Sequence, residues 1–212
     1  MSLSILVGTC DDYLEFMPNS MALMDRYLPD ELPRIVAGET QAIERPNYEW
    51  CLPGKGAWGK RMIEALQKVK TDYVFFTLDD YYYSQKLTKE FFDWLLVFME
   101  REKADKLCLT PVPSMANYQY TETVDTIKRM APYSNWLTSV QPAIWRTEHL
   151  LRLMHEEYSP WSFEVEGSEK ARHQEKNHYV IKLDEPVYFN FVRQGKCKTI
   201  GWEKFLEQEG LA

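Results

Sequence analysis

The sequence lacks any apolar run of the ~20 residues needed to span a bilayer, and its first residues lack the basic segment of a signal peptide. Its four cysteines are far apart and form no CxxC pair, so neither a zinc ribbon nor a thioredoxin-like site is expected. We interpret them as reduced thiols. This predicts a cytoplasmic protein whose membrane contact, if any, is peripheral at the inner face.

Basic residues are too few and too scattered for general binding to nucleic acid. The formal net charge is −7 and the pI is about 5.2, with no Lys/Arg cluster to offset the acidity. Nucleophilic and zinc-protease motifs are also missing, because the sequence contains neither GxSxG nor HExxH. We therefore expect no nucleic-acid partner and no serine or zinc hydrolase chemistry.

Gly54, Gly56 and Gly59 form a GxGxxG pattern, and Gly54 to Lys60 form GxxxxGK. Neither predicts a phosphate-binding loop, because no buried strand precedes the glycines and Arg61 stands where a P-loop has Ser or Thr. The stretch is typical of a glycine-rich entry to a helix. The basic start of that helix, at Lys60 and Arg61, is still predicted to attract phosphate.

Alternating helical and apolar segments predict an α/β fold, with one open, mostly parallel, twisted sheet flanked by helices. A chain of 212 residues suits a single domain over 1–212, with a ligand-binding half at 1–110 and a second half at 111–212. The predicted strands are 4–8, 34–37, 73–78, 106–110, 124–130, 137–146, 179–183 and 187–191. The predicted helices are 18–28, 57–69, 88–101, 150–157, 169–176 and 202–209.

Two acids follow the most apolar of these strands. Tyr73 to Leu78 form a continuous apolar run that suits a strand buried on both faces, and Asp79 and Asp80 come directly after it. Open α/β sheets bind ligands at the carboxyl ends of their strands. Because adjacent residues of a strand point to opposite sides, we expect one acid, Asp80, to bind a divalent cation such as Mn²⁺ or Mg²⁺. Asp79 is a second candidate ligand.

Acids elsewhere complete the candidate site. Asp11 follows the first predicted strand, where ligand contact and helix capping are equally open interpretations. Glu164 and Glu166 lie beside Trp161 and Phe163, which would shield a carboxylate from water and adjust its pKa for general-base catalysis. Glu164 is the first candidate and Glu166 the alternative. A helix-entry acid beside core aromatics is an equally open interpretation.

The segment WGKRMIEALQKVKTDYVFFTLDDYYYS resembles the core of family 2-like glycosyltransferases with the A-type fold. SILVGTCDDYLEF resembles their first strand and nucleotide-contacting turn. SVQPAIWRTEHLL, followed by PWSFEVEGSE, is similar to the acceptor-side segment of a bacterial subgroup that makes capsular and surface polysaccharides. Unlike many relatives, this sequence has Tyr81 in place of a further acid after the pair.

The resemblance implies an inverting enzyme that transfers a sugar from a nucleotide-diphosphate sugar to a saccharide or lipid-linked saccharide. It implies donor contacts from Asp11, Lys60, Arg61, Asp79 and Tyr81, metal binding by Asp80 and a general base at Glu164. On the acceptor side it implies Gln141, Trp145 and Trp161. Two alternatives stay open: a nucleotidyltransferase of similar architecture, and a non-catalytic protein that binds a nucleotide or a sugar.

Overall fold

A computed structural model describes residues 1–109, 120–124, 126–174, 177–193, 196–197 and 201–211. Its strands, in chain order, are β1 Leu3–Gly8, β2 Arg34–Ala37, β3 Tyr48–Cys51, β4 Tyr73–Leu78, β5 Tyr81–Tyr83, β6 Lys106–Cys108, β7 Tyr120–Val124, β8 Ile127–Met130, β9 Ala143–Arg146, β10 His178–Ile181, β11 Tyr188–Asn190, β12 Val192–Arg193 and β13 Lys196–Cys197.

The helices are α1 Met17–Tyr27, α2 Trp58–Lys68, α3 Lys89–Arg101, α4 Thr147–Leu153, α5 Pro160–Ser162, α6 Ser168–Arg172 and α7 Trp202–Glu209. A 3₁₀ turn spans Asp11–Tyr13, and a π-helical turn, Phe163–Gly167, joins α5 to α6. Most of these elements were predicted from the sequence, to within a few residues at their ends.

The sheet has nine strands in the order β3-β2-β1-β4-β9-β6-β10-β8-β7. All of them run in one direction except β8 and β9, which are antiparallel to their neighbours. The predicted α/β fold with a mostly parallel sheet is therefore confirmed. The short strands β5 and β11 pair separately, as do β12 and β13.

Strands β1 and β4 are buried on both faces, as the apolar run of β4 predicts. Ile5 and Phe75 belong to the core on one face, together with α1 and α3. Leu6 and Phe76 belong to the core on the opposite face, together with α2 and α4. This alternation places the carboxyl ends of β1 and β4 between two layers of helices.

The strand predicted over 137–146 is wrong in extent. Only β9 is extended, and it lies at the centre of the sheet between β4 and β6. Pro142 directly precedes β9, and its carbonyl accepts a hydrogen bond from the Leu109 N–H at 3.1 Å. Because proline has no N–H to donate, the ladder begins after it, and residues 137–141 form a loop instead.

The helix predicted for 169–176 begins much earlier. Helical structure starts at Pro160, where the side chains and backbones of Ser159 and Ser162 form a reciprocal capping box. It continues through the π-helical turn to Arg172. Glu164 and Glu166 are therefore helical residues.

Helix α4 also begins earlier than predicted, at Thr147. The Thr147 hydroxyl group donates to the Thr71 carbonyl and does not cap the helix.

Among the described residues, no helix is long and apolar enough to span a membrane.

Candidate functional site

Three parallel strands end at the same level of the sheet. Gly8 of β1 pairs with both Ala37 of β2 and Leu78 of β4. The next residues stay together, because the Thr9 N–H donates to the Ala37 carbonyl at 3.0 Å and the Asp79 N–H donates to the Gly8 carbonyl at 3.1 Å. This register brings the segments that follow β1, β2 and β4 to one edge of the sheet, where α/β folds bind ligands.

The Asp79 carboxyl group is held by the protein itself. Its side chain is buried and accepts a hydrogen bond from the Thr9 hydroxyl group at 2.5 Å. Burial, and then the negative charge of Asp80, raise the pKa of Asp79 well above its ordinary value. Asp79 is therefore a buried structural residue beneath this edge of the sheet.

The Asp80 carboxyl group, unlike that of Asp79, has an oxygen atom that is available to a ligand. Its Oδ1 atom is buried and has no hydrogen-bond partner among the described residues, whereas its backbone carbonyl accepts from the Phe191 N–H at 2.7 Å. Burial raises the pKa of Asp80 to about 7. A buried carboxylate oxygen without a partner is costly, and a ligand cation or hydrogen-bond donor would offset that cost.

The donor set at this edge fits a cation that is shared with a ligand. Among the residues that the structure describes, no group of three or more His, Cys, Asp or Glu side chains could hold a metal ion. The edge offers the Oδ1 atom of Asp80, while Asp79 is already bound to Thr9. Mg²⁺ suits such a site, because it usually keeps several waters and takes further oxygens from substrate phosphates.

Asp11 organises the loop that follows β2. Its carboxylate accepts from the Thr40 N–H at 3.1 Å and from the Thr40 hydroxyl at 2.6 Å. Its own N–H donates to Glu39 at 3.0 Å. The hydrogen bond from the Thr40 hydroxyl holds the pKa of Asp11 below its ordinary value. Asp11 thus stays ionised at the mouth of the edge, next to the ends of β1 and β2.

Arg61 occupies a buried structural position. Its Nη1 atom donates to the Thr9 carbonyl at 3.0 Å and lies 3.0 Å from Glu39. The sequence predicted that Arg61 faces a nucleotide or diphosphate, but this guanidinium group is inside the protein and already binds two acceptors. Lys60, by contrast, is exposed.

The first turn of α2 is closed to phosphate, which corrects the expectation drawn from its basic start. The Gly59 N–H donates to the Tyr158 carbonyl at 2.7 Å, and the Lys60 N–H donates to the Glu156 carbonyl at 3.0 Å. These are amide groups that a bound anion would need. The segment after α4 therefore caps α2.

Tyr81, directly after the acid pair, connects that pair to the loop of residues 137–141. Its buried hydroxyl group accepts from the Gln141 Nε2 at 2.6 Å, and the Gln141 Oε1 accepts from the Tyr188 hydroxyl at 2.8 Å. Burial, and then the charges of Asp80, Tyr188 and Glu164, raise the pKa of Tyr81. Through Gln141, Tyr81 is therefore joined to the 137–141 loop, whose Val140 N–H binds Glu164.

Glu164 is a half-buried acid on the π-helical turn. Its Oε1 accepts from the Val140 N–H at 3.0 Å. Burial raises the pKa of Glu164, whereas the Val140 N–H and the charge of Lys106 act in the opposite direction. A carboxyl group with a raised pKa is well suited to general-base chemistry near neutral pH. Glu166, the alternative candidate, is exposed.

The loop that binds Glu164 is fixed to the helix that carries it. The Thr138 hydroxyl donates to the Phe163 carbonyl at 2.7 Å, and the Thr138 N–H donates to the Ser168 hydroxyl at 3.0 Å. Added to the Val140 contact, these hydrogen bonds join residues 137–141 to residues 163–168. The position of Glu164 is therefore set by tertiary contacts on both sides.

The tryptophans predicted for the acceptor side have different environments. Trp145 is fully buried in β9 and packs against Phe163, His149 and His178. This corrects the prediction for Trp145, since a ring inside the core cannot contact an acceptor. Trp161 is 59% exposed, on the same helical segment as Glu164.

Sequence reasoning missed several residues that shape the site. These are Thr9, Glu39, Lys106 and Tyr188. Lys106 alone carried a signal in the sequence, because it is a charged residue that opens an otherwise apolar predicted strand. The others are ordinary polar or aromatic residues, and their roles depend on strand register and loop packing.

The sheet and its helices have the A-type fold that the resemblance in the sequence implies. The chain is similar to Staphylococcus aureus TarS 1–349 in complex with UDP-GlcNAc, with a TM-score of 0.62, 20% identity, and coverage of 93% of this chain and 60% of that one. A longer TarS structure gives a TM-score of 0.61 at 19% identity, over 91% of this chain and 37% of that one.

HddC from Yersinia pseudotuberculosis is similar at a TM-score of 0.58 and 9% identity, over 99% of this chain and 100% of HddC. No family model and no curated protein matches the sequence. The chain spans only about 60% of TarS 1–349 and 37% of the longer TarS structure. At these identities the likeness is one of fold.

Proposed function

We propose that this protein is a glycosyltransferase that moves a sugar from a nucleotide-diphosphate sugar to an acceptor hydroxyl group. The observation that carries the proposal is the fold match, over 93% of the chain, to TarS in complex with UDP-GlcNAc. TarS has also been crystallised with UDP, and that structure matches over 89% of this chain. The acids at the carboxyl edge of the sheet supply the chemistry that such a donor needs.

The donor side of the proposed site is the carboxyl edge of β1, β2 and β4. Asp11 is partly accessible there. Lys60 is an exposed cation and directly precedes the buried Arg61 in the sequence. Asp79 and Tyr81 lie beneath, held by Thr9 and Gln141. In this arrangement Asp11 and Lys60 contact the nucleotide, while Arg61, Asp79 and Tyr81 shape the surface on which it lies.

Asp80 is the proposed ligand for Mn²⁺ or Mg²⁺, because its Oδ1 atom is the buried carboxylate oxygen left without a partner among the described residues. A divalent cation stabilises the charge that develops on a diphosphate leaving group. The protein's own part is to hold Asp80 in place, through the register of β4 and through the hydrogen bond from Phe191 to the Asp80 carbonyl.

Glu164 is the proposed general base. The acceptor hydroxyl oxygen attacks the anomeric carbon, its proton passes to the Glu164 carboxylate, and the bond from that carbon to the diphosphate breaks with its electron pair leaving on the diphosphate. A single displacement of this kind inverts the anomeric configuration. The raised pKa of Glu164 makes it a better proton acceptor than a solvated carboxylate.

The acceptor side of the proposal comprises Gln141, which binds Tyr81, and Trp161, whose exposed ring offers an apolar face near Glu164. Aromatic rings in polar clefts often stack on sugars. A saccharide or lipid-linked saccharide acceptor in bacterial surface polysaccharide synthesis is consistent with the resemblance in the 139–168 segment.

Donor binding can be tested by calorimetric titration with UDP and GDP, with and without Mn²⁺. We expect at least one nucleotide to bind, and Asp80→Asn to weaken metal-dependent binding by about 10-fold to 100-fold. Removing the metal with EDTA should weaken wild-type binding by a similar factor. Asp184→Asn is the matched control, because Asp184 is exposed in a loop outside the proposed site. Nucleotide binding that is equally tight in Asp80→Asn and wild type would contradict the assignment of Asp80.

A further inference from the structure

Lys106 is a charged residue in the core. It opens β6, where its in-register neighbours are Trp145 of β9 and His178 of β10, and its side chain is fully buried. Burying a lysine has a cost in desolvation that an apolar side chain would avoid. Packing against these neighbours does not by itself require an ammonium group at that position.

The ammonium group of Lys106 reaches the loop that binds Glu164. Its Nζ donates to the Leu137 carbonyl at 3.0 Å and to the Ser139 hydroxyl at 3.1 Å. The next residue, Val140, donates its N–H to Glu164 at 3.0 Å. Lys106 and Glu164 therefore both hydrogen-bond to the same short loop. The positive charge of Lys106 acts to lower the pKa of Glu164.

On the basis of the proposed function, we infer that Lys106 is a positioning residue, a buried cation that holds the 137–140 loop and keeps the Glu164 carboxyl group ionised for its role as base. Burial lowers the pKa of Lys106 to about 8, so the group is still largely protonated at neutral pH. Glu164, whose pKa is raised by burial, is the carboxyl group that benefits.

Other ionisable groups also lie around Lys106. Cys108, on the same strand, raises the pKa of Lys106, as does Glu164. His149 and His178 contact the Trp145 ring, against which the Lys106 ammonium also packs at 4.8 Å. Their Nε2 atoms are 2.9 Å apart, so one ring must accept the hydrogen bond through an unprotonated Nε2. On the Glu164 side, Tyr81 is a neighbouring ionisable group.

The test is a titration of Glu164 by NMR of ¹³C-labelled glutamate carboxyl groups, with the resonance identified by its loss in Glu164→Gln. Lys106→Gln keeps a hydrogen-bond donor but removes the charge, and Lys106→Met removes both. We expect each to increase the proton affinity of Glu164 by about tenfold. Lys106→Arg should restore the wild-type value. If Lys106→Met does not fold, Lys106→Gln still decides the question.

Thr138→Val separates charge from loop packing. It removes the hydrogen bond from the Thr138 hydroxyl to the Phe163 carbonyl but leaves the ammonium group in place. The inference predicts an unchanged Glu164 titration in this variant. An unchanged titration in Lys106→Gln, or a shift in Thr138→Val as large as in Lys106→Gln, would overturn it.

Lys106→Gln and Lys106→Met should also move the acidic limb of the pH–rate profile to higher pH, because a base with a higher pKa is protonated over a wider pH range. Loss of the proposed function would show as absence of turnover in the wild type, whatever the titration gives. Failure of the Lys106 inference would show as wild-type turnover with an unshifted acidic limb in Lys106→Gln. The two outcomes are therefore distinguishable.

Discussion

Asp79 and Asp80 are neighbours in the chain, yet their carboxyl groups have different surroundings. Asp79 is bound by the Thr9 hydroxyl, whereas the Oδ1 atom of Asp80 has no partner among the described residues. The sequence predicts that adjacent strand residues diverge. It cannot predict which acid is held, because Thr9 reaches Asp79 only through the pairing of β1 with β4. The role of each acid thus depends on tertiary register.

Lys106 makes protein stability depend on pH in a defined direction. Its pKa is about 8 in the folded protein and ordinarily about 10.4 in an unfolded chain. Between these values the unfolded state binds more protons, so the free energy of unfolding rises with pH. We expect wild type to gain stability relative to Lys106→Met as the pH increases from 8 to about 10.

This difference can be measured by urea denaturation of both proteins across that range. Using the difference between the two cancels the tyrosines, whose pKa values burial also raises. A constant or falling difference would show that Lys106 is not a buried cation with a lowered pKa.

Among the elements, α2 and the segment after α4 pack so closely that backbone carbonyls bind the amides to which an anion could otherwise bind. The amides of Gly59 and Lys60 donate to carbonyls of that segment. A side chain at position 59 is excluded, because an added Cβ would lie 2.0 Å from the His155 carbonyl oxygen. Gly59 is therefore a packing glycine and not part of a phosphate-binding motif.

Replacing Gly59 with alanine should destabilise the protein by about 3 kcal/mol, because the clash is with backbone that must move. The matched control is Gly56→Ala, since an added Cβ at Gly56 meets nothing within 4 Å. Its effect should be within about 0.5 kcal/mol. Denaturant titrations of both variants provide the measurement. Equal stability of the two variants would contradict the close contact between α2 and residues 155–158.

Periodicity in the sequence was sufficient to predict most helices and strands, because burial on one or both faces leaves a repeating pattern. The central position of β9 left no such signal, since a four-residue strand after a proline is also compatible with an edge. The π-helical turn at 163–167 was missed for a related reason, because Glu164 and Glu166 interrupt the apolar pattern and the apolar Val165 is exposed. These are the elements whose position is set by neighbours distant in sequence.

At the scale of the whole molecule, the sheet interleaves the two parts of the chain. β9, from the second half, lies between β4 and β6 of the first half, and β10 lies beside β6. In addition, α7 contacts α1 through Glu209, which accepts from the Tyr27 hydroxyl at 2.7 Å. The acid pair and Glu164 are thereby carried on a single packed unit.

A fragment of residues 1–110 should therefore not fold independently, because β4 and β6 would each lose their β9 partner. We expect the fragment to lack a cooperative thermal transition and to bind ANS, while the full chain unfolds in one step. Circular dichroism on both is sufficient. A cooperative transition in the fragment would show that the first half is a separate folding unit.

In the proposed enzyme, the acids after β4 and the carboxyl group of Glu164 serve the two sides of one transfer reaction. The most direct measurement is the initial rate of nucleoside diphosphate release from a nucleotide sugar, in Glu164→Gln and in the exposed control Glu185→Gln, together with nucleotide affinity. We predict that Glu164→Gln loses at least about 100-fold in rate but binds the nucleotide as tightly as wild type. A wild-type rate in Glu164→Gln would show that Glu164 is not the general base.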